Sequence, residues 1–391
     1  MAQASISRGE GAGPALTLPQ RIILAEGWAR RAIAFFAGAC GALALAPVDL
    51  APAMLVPMCV AVWLLDGAAA ASGAGALSFA RASLISAAGA GWWLGFGYFL
   101  AGLWWLGSAL LVQADQFAWA LPLAVIGVPA GLAGFTALGF ALARLLWSPG
   151  SLRVFALAAG LSASEWLRGH VMTGFPWNDF GMALAGVPVV DQTASLVGLH
   201  GLDILAVILF AAPATFFDGP RRRATPAIVV AGALLFCSVS YGMLRLAGSE
   251  SGFVEGVTLR LMQPALPQDA KFKPENGDEI LRRYLDLTDR AIAPGHSGVA
   301  DVTHVIWPES AFPFVLSREP QAMTRIASVL QNATLVTGAA RIEEAGGRRT
   351  KIFNAILAVQ RGRIVAAYDK IHLVPFGEYL PLSGLLAPLG A

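Results

Sequence analysis

The chain has 391 residues, 56% of them hydrophobic and 13% charged, with a mean hydropathy of +0.63 and a net charge of +2. The charged share is half the about 25% of an ordinary soluble domain, which excludes a protein soluble throughout. The near-neutral balance without a basic patch disfavours nucleic-acid binding, and the apolar content excludes fibrous and disordered classes.

Charge is unevenly spread. Residues 1–250 hold 12 of the 27 Lys+Arg, all arginines, and 11 of the 25 Asp+Glu. The reading is a membrane domain over 1–250 and a polar domain over 251–391, long enough for its own core. A crossing helix needs about 20 mostly apolar residues. Seven candidate spans follow in order: about 31–47, 51–66, 86–111, 119–142, 153–167, 193–216 and 224–246, the second and fifth short. A polar tail of 30 residues without a convincing cleavage site precedes the first, so it is expected to be a retained anchor.

Placing the N-terminus in the cytoplasm leaves Arg8, Arg21, Arg30, Arg31, Arg81, Arg144, Arg153, Arg221, Arg222 and Arg223 inside. Only Arg168 and Arg245 fall outside. Seven crossings then deliver 251–391 to the outer face, the periplasm of a Gram-negative cell. Cys40, Cys59 and Cys237 lie in apolar runs, without the spacing of a disulfide framework or zinc site. No two of His170, His200, His296, His304 and His372 have metal-ligand spacing.

Trp92, Trp93, Tyr98, Trp104 and Trp105 cluster along the third span and suit an interfacial belt and helix packing. Glu165-Trp-Leu-Arg168 through Gly174-Phe-Pro-Trp-Asn-Asp-Phe-Gly181 is too short and polar to cross, and reads as an outer loop folding back on the membrane. Whether it lines a site or merely connects two spans is open at this level.

Beyond Gly252, Val257, Leu259 and Leu261 alternate as a strand. Asn276 and Glu279 resemble a capping box before a helix carrying Ile280, Tyr284, Leu287 and Ala291. A strand at 302–307, a helix at 320–331, a strand at 333–339 and a hairpin pairing 352–359 with 364–368 complete an α/β layered domain. Two stretches carry chemistry. In Trp307-Pro308-Glu309-Ser310 a carboxylate follows a strand end. Pressed against Trp307 it would be desolvated into a general base; otherwise it is a solvated loop residue. In Tyr368-Asp-Lys-Ile-His-Leu-Val-Pro-Phe-Gly-Glu-Tyr379, Lys370 follows a strand and leads through five non-polar residues to Glu378. A lysine there could stabilise a thiolate and an oxyanion.

Together these stretches resemble the nitrilase superfamily, with its Glu–Lys–Cys triad on an α-β-β-α sandwich. With seven spans, Gln263-Pro264-x-x-Pro-Gln268 and the Phe-Pro-Trp loop, the chain resembles the bacterial apolipoprotein N-acyltransferases from the first span to residue 381. The resemblance implies a polytopic helical membrane domain followed by a nitrilase-like domain. It implies Glu309 as general base, Lys370 for thiolate and oxyanion, and Glu378 in support. Trp177, Gln263 and Pro264 would bind substrate. A phospholipid would donate an acyl chain through a thioester to the amino group of an apolipoprotein's diacylglyceryl-cysteine, without cofactor or metal. The family's nucleophilic cysteine is expected beyond Ala391, so the chain reads as C-terminally incomplete and inactive by itself. Two alternatives are a membrane-tethered nitrilase-like amidohydrolase and a transporter or receptor, for which Asp203 is the main intramembrane candidate.

Overall fold

The computed structural model describes residues 16–68, 76–112, 114–217, 225–249, 252–267, 271, 273–291, 293–294, 298–343, 351–374 and 378–379. Arg8, Arg221–Arg223, Gln268, His296, Pro375, Phe376, Gly377 and the 382–389 run lie outside them. The chain divides into two compact units, Met1–Ser249 and Glu250–Ala391.

Apolar, alanine- and leucine-rich segments make the described elements of the first unit all helical. Its main helices are α1 (Gly27–Gly41), α2 (Leu55–Gly67), α3 (Ala76–Leu103), α4 (Val128–Leu145), α5 (Leu152–Arg168), α6 (Ala194–Ala211) and α7 (Thr225–Ala247). One stands at each expected span. Four helical runs are long and apolar enough to cross a membrane: Ala80–Leu111, Ala114–Leu145, Ala194–Phe217 and Thr225–Ala247. The helices α1, α2 and α5, at 15, 13 and 17 residues, fall short of the about 20 needed. The tail before α1 is not all irregular, since Leu18–Ile23 forms a short helix. The run ending in α4 contains a 3-10 turn at Ala118–Ala120 and a π-turn at Leu123–Gly127. Pro122 and Pro129 explain both, because each removes a helical N–H donor.

Small residues set the helix spacing. A Cβ at Gly38 would meet the Leu94 carbonyl oxygen at 1.9 Å, and one at Gly97 the Phe35 oxygen at 2.0 Å. So α1 and α3 approach backbone to backbone, as lipid-embedded helices do. Of the aromatic group read as interfacial belt and helix packing, Tyr98 belongs to the packing, fully buried against Phe99 and Phe180.

Among its described residues the second unit shows one mixed sheet and two α-helices. Its strands are β1 (Leu259–Leu261), β2 (His304–Trp307), β3 (Thr334–Glu343), β4 (Lys351–Gln360) and β5 (Arg363–Asp369), in spatial order β1-β2-β3-β4-β5. The first three run parallel, and β4 and β5 are antiparallel additions. The crossover helices are α8 (Gly277–Asp289) and α9 (Pro320–Leu330). Both lay apolar stripes on one sheet face, where Ile280, Tyr284, Val305, Trp307, Ile326, Leu335 and Leu357 form the core. The opposite face carries Leu259, Leu261, Ile356 and Tyr368, all exposed.

The predicted capping box at Asn276 does not form. A 3-10 turn at Pro274–Asn276 already gives that residue helical φ/ψ, and Asn276 makes no side-chain cap bond. The hairpin closes through Arg361 and Gly362 at φ +49° and +72°, the left-handed pair a two-residue turn requires.

Candidate active site

The site lies where β2 stops and its neighbours continue. Trp307, the last residue of β2, turns into the core, bonds Thr288 Oγ1 through Nε1 at 3.1 Å and packs on Tyr284. After Pro308 the chain crosses over β3 at Gly338. A Cβ there would meet the Glu309 Cα at 2.6 Å, so only glycine admits the crossing. The Ala311 N–H then donates to the Gly338 oxygen at 3.1 Å, and Lys271 Nζ to the Glu309 carbonyl at 3.0 Å. These contacts fix the backbone of Glu309 and leave its carboxylate over β3 and β4.

Lys370 reaches the same place from the end of β5, anchored by its N–H on the Asn354 carbonyl at 2.8 Å. Its ammonium donates to Glu378 Oε1 at 2.7 Å and lies 3.7 Å from Glu309 Oε1. Glu378 is wedged in place, its Oε2 accepting the Val374 N–H at 2.8 Å. Between the two carboxylates stands Asn354 of β4, whose Nδ2 donates to Glu309 Oε1 at 2.8 Å and to Glu378 Oε1 at 3.0 Å.

The strands that lead to Glu309 and Lys370 are not neighbours: β3 and β4 lie between β2 and β5, and the glycine crossing brings the two residues together. Of the two readings open for Glu309, the solvated one holds. The Trp307 ring is in the core, and the Glu309 side chain is 65% exposed.

The electrostatics favour a charged Lys370. Its hydrogen bond to Glu378 raises its pKa, outweighing partial burial. For Glu378 burial pushes upward, yet Lys370, the Val374 N–H and the Asn354 amide together hold the carboxyl below its usual range. Burial lowers the pKa of Lys271, against the opposing charge of Glu309. The cluster edges a cleft of about 390 Å³ on the sheet face opposite α8 and α9, with Ile306, Val336, Ile356 and Tyr368 among its apolar lining.

Gln263 and Pro264 line a separate cleft of about 140 Å³ with Lys271 and Tyr284. Asn354 and Lys271 escaped sequence reasoning. An asparagine in the interior of an apolar strand was the available signal for the first, since a polar residue there needs partners; nothing local marked the second.

In the first unit, Arg168 gathers the connection between α5 and α6. Its guanidinium is fully buried, paired with Glu165 and Asp179, and donates to the carbonyls of Phe175 and Trp177, the latter at 2.7 Å. Trp177 packs on Trp105 and Phe175, with ring centroids 5.1 and 5.0 Å apart. Asp203 is buried beneath this connection, accepting the Gly181 N–H at 2.7 Å. Asp179, His200 and Asp203 form the one group of possible metal ligands among the described residues.

The model of the apolipoprotein N-acyltransferase N-terminal domain matches residues 37–212. An apolipoprotein N-acyltransferase of Rhodopseudomonas palustris is 50% identical over 377 residues, covering 94% of this chain and 68% of the relative. The Bradyrhizobium diazoefficiens protein of that name is 49% identical with the same coverages. That of Agrobacterium fabrum is 43% identical over 95% of this chain and 69% of its own length. With half the residues shared across nearly all of both units, the chain belongs to the apolipoprotein N-acyltransferase family.

Proposed function

We propose that this chain is an N-acyltransferase of bacterial lipoprotein maturation, moving a fatty acyl chain from a phospholipid to the N-terminal amino group of an apolipoprotein. The observation that carries the chemistry is the convergence of Glu309, Lys370, Glu378 and Asn354 on the rim of an apolar cleft. Family membership favours acyl transfer over the amidohydrolase and the transporter.

In this reading Glu309 takes the proton of an attacking thiol, its exposed carboxylate being free to meet it. The sulfur–carbon bond forms as the ester carbon–oxygen bond breaks, and Glu309 passes the proton to the departing alcohol of the lysophospholipid. Lys370 stabilises the thiolate and the tetrahedral oxyanion, and Glu378 aims it. The apolipoprotein amine then attacks the thioester carbonyl. The nitrogen–carbon bond forms, the carbon–sulfur bond breaks, and a proton returns to the thiolate through Glu309. Residues 250–391 contain no cysteine, so the thiol of this cycle lies outside them. Cys40, Cys59 and Cys237 all belong to the helical unit.

The finer fold belongs to the same proposal. A nitrilase-like α-β-β-α sandwich sets a second sheet over the face carrying Leu259, Leu261, Ile356 and Tyr368. Trp177, Gln263 and Pro264 are assigned to substrate binding, Trp177 as part of an aromatic surface suited to lipid. The arginine asymmetry favours the inner membrane, with an inside N-terminus and residues 251–391 in the periplasm.

The test is a chimaera in which the remainder of the R. palustris relative, outside the match, is joined after residue 391. It should form a hydroxylamine-labile acyl-enzyme from labelled phospholipid. Glu309→Gln and Lys370→Ala should abolish that species, while Ser at positions 40, 59 and 237 should leave it. Acyl-enzyme persisting in Glu309→Gln would remove Glu309 from the mechanism.

A further inference from the structure

The connection between α5 and α6 closes over a polar group that the chemistry above does not use. Asp179 in the connection and His200 and Asp203 on α6 offer ligand atoms within 4.8 Å of one another. His200 Nδ1 lies 3.9 Å from Asp179 Oδ2 and 3.4 Å from Asp203 Oδ2. The other oxygens are committed, Asp179 Oδ1 to Arg168 and Asp203 Oδ1 to the Gly181 N–H. Asp179 is fully buried, and its Oδ2, facing His200, has no hydrogen-bond partner. Glu165 Oε1 is orphaned in the same way. A buried carboxylate oxygen without a partner is costly. Of the three buried carboxylates, Glu165 and Asp179 pair with the Arg168 guanidinium, while Asp203 has only the Gly181 N–H and His200 beside it. With all three ionised and a neutral imidazole, they exceed the one guanidinium by two charges, the charge of one divalent cation.

We propose that Asp179, His200 and Asp203 bind a first-row divalent transition-metal ion of the zinc class. The ion ties the connection that carries Trp177 to helix α6. A tetrahedral ion with bonds of about 2.0–2.2 Å holds its donors about 3.3–3.5 Å apart. The His200–Asp203 separation already matches, and a shift of the Asp179 carboxylate by about 1 Å closes the third side. Two carboxylates and an imidazole favour zinc-like ions over magnesium and calcium, which prefer all-oxygen shells. The His200 side chain is 37% exposed, which gives the ion an entry path and leaves a position for water. Histidine spacing alone could not reveal the site, because Asp179 arrives from the connection and only His200 and Asp203 share a helical turn.

The experiment uses the full chain without a polyhistidine tag, solubilised in detergent and stripped with chelator. Co²⁺ is titrated by its visible absorption, and retained Zn²⁺ is counted by elemental analysis after desalting. One ion per chain is expected, with Zn²⁺ displacing Co²⁺ and millimolar Mg²⁺ failing to do so. His200→Ala and Asp203→Asn should each weaken Zn²⁺ binding at least about tenfold, while Asp115→Asn, at an exposed position, should not. Asp203→Asn keeps an oxygen for the Gly181 N–H, and His200 is partly exposed, so both variants should unfold in chelator at the wild-type temperature. If the chain retains no ion, or if both variants bind as the wild type does, the proposal is wrong and a shared carboxyl proton serves the orphaned oxygen.

Discussion

Replacing Arg168 by Met keeps an apolar stem of similar length and deletes the charge and donors that hold the α5–α6 connection. The guanidinium is fully buried and serves four oxygens, on Glu165, Asp179, Phe175 and Trp177. Removing one partner of a buried ion cluster costs about 3–5 kcal/mol, because the other charges remain enclosed. The two carbonyls would add about 1–3 kcal/mol each if they stayed buried. The connection can open to water instead, so the first figure bounds the whole effect. At about 1.4 kcal/mol per tenfold, opening of residues 169–179 becomes roughly 10²–4 × 10³ times more populated. Hydrogen exchange of the full chain in detergent reads this directly. The Phe175 N–H, bonded to the Arg168 carbonyl at 3.0 Å, should lose protection while peptides from α7 keep theirs. Adding Glu165→Gln and Asp179→Asn to Arg168→Met removes the stranded charges and should recover much of the loss. Exchange in 169–179 within about threefold of wild type, or a triple variant worse than Arg168→Met, would refute the reasoning.

Gly338→Ala forces a Cβ to 2.6 Å from the Glu309 Cα, so it should cost about 1–3 kcal/mol and lower acyl-enzyme yield in the chimaera; wild-type thermal stability and yield would contradict the crossing. Because the Glu378 carboxyl is held below its ordinary 4.5, its stabilisation is present above that value and lost as pH falls through the lower native one. The ¹⁵N-valine signal of Val374 should therefore titrate below pH 4.5, and Glu378→Gln should remove the step. Lys370, raised above 10.5, keeps its contribution until pH rises past its native value. Tyr284 is fully buried with an unpartnered hydroxyl, so Tyr284→Phe should stabilise the second unit by roughly 1 kcal/mol in urea unfolding; a clear loss would reveal a bonded partner. Reporter fusions after Arg223 and after Gly252 should report opposite sides of the membrane, and the same side for both would overturn the proposed orientation.

Local features were legible in the sequence because their causes are local. Apolar run length located a helix at each of the seven positions, alternation located the first strand, and apolar runs between turn residues located the other four of the described strands. Arg361-Gly362 declared its turn, since a two-residue hairpin needs left-handed backbone that glycine supplies without strain. Glu309, Lys370 and Glu378 were singled out by their short-range setting at strand ends. What brings them together is not local. β3 runs on to Glu343, beyond the expected 339, because β4 pairs with it as far as Lys351. That extension carries Asn354 to the level of Lys370, and a glycine in β3 lets Glu309 cross to them. Likewise, Arg168 reads in sequence as one of two arginines on the outer side, and only packing makes it the buried centre of four oxygens. Strand and helix propensity belong to neighbours along the chain. The burial of a charge, the depth of a tryptophan and the meeting of two carboxylates on one amide depend on residues brought close by the fold, and only the tertiary structure decides them.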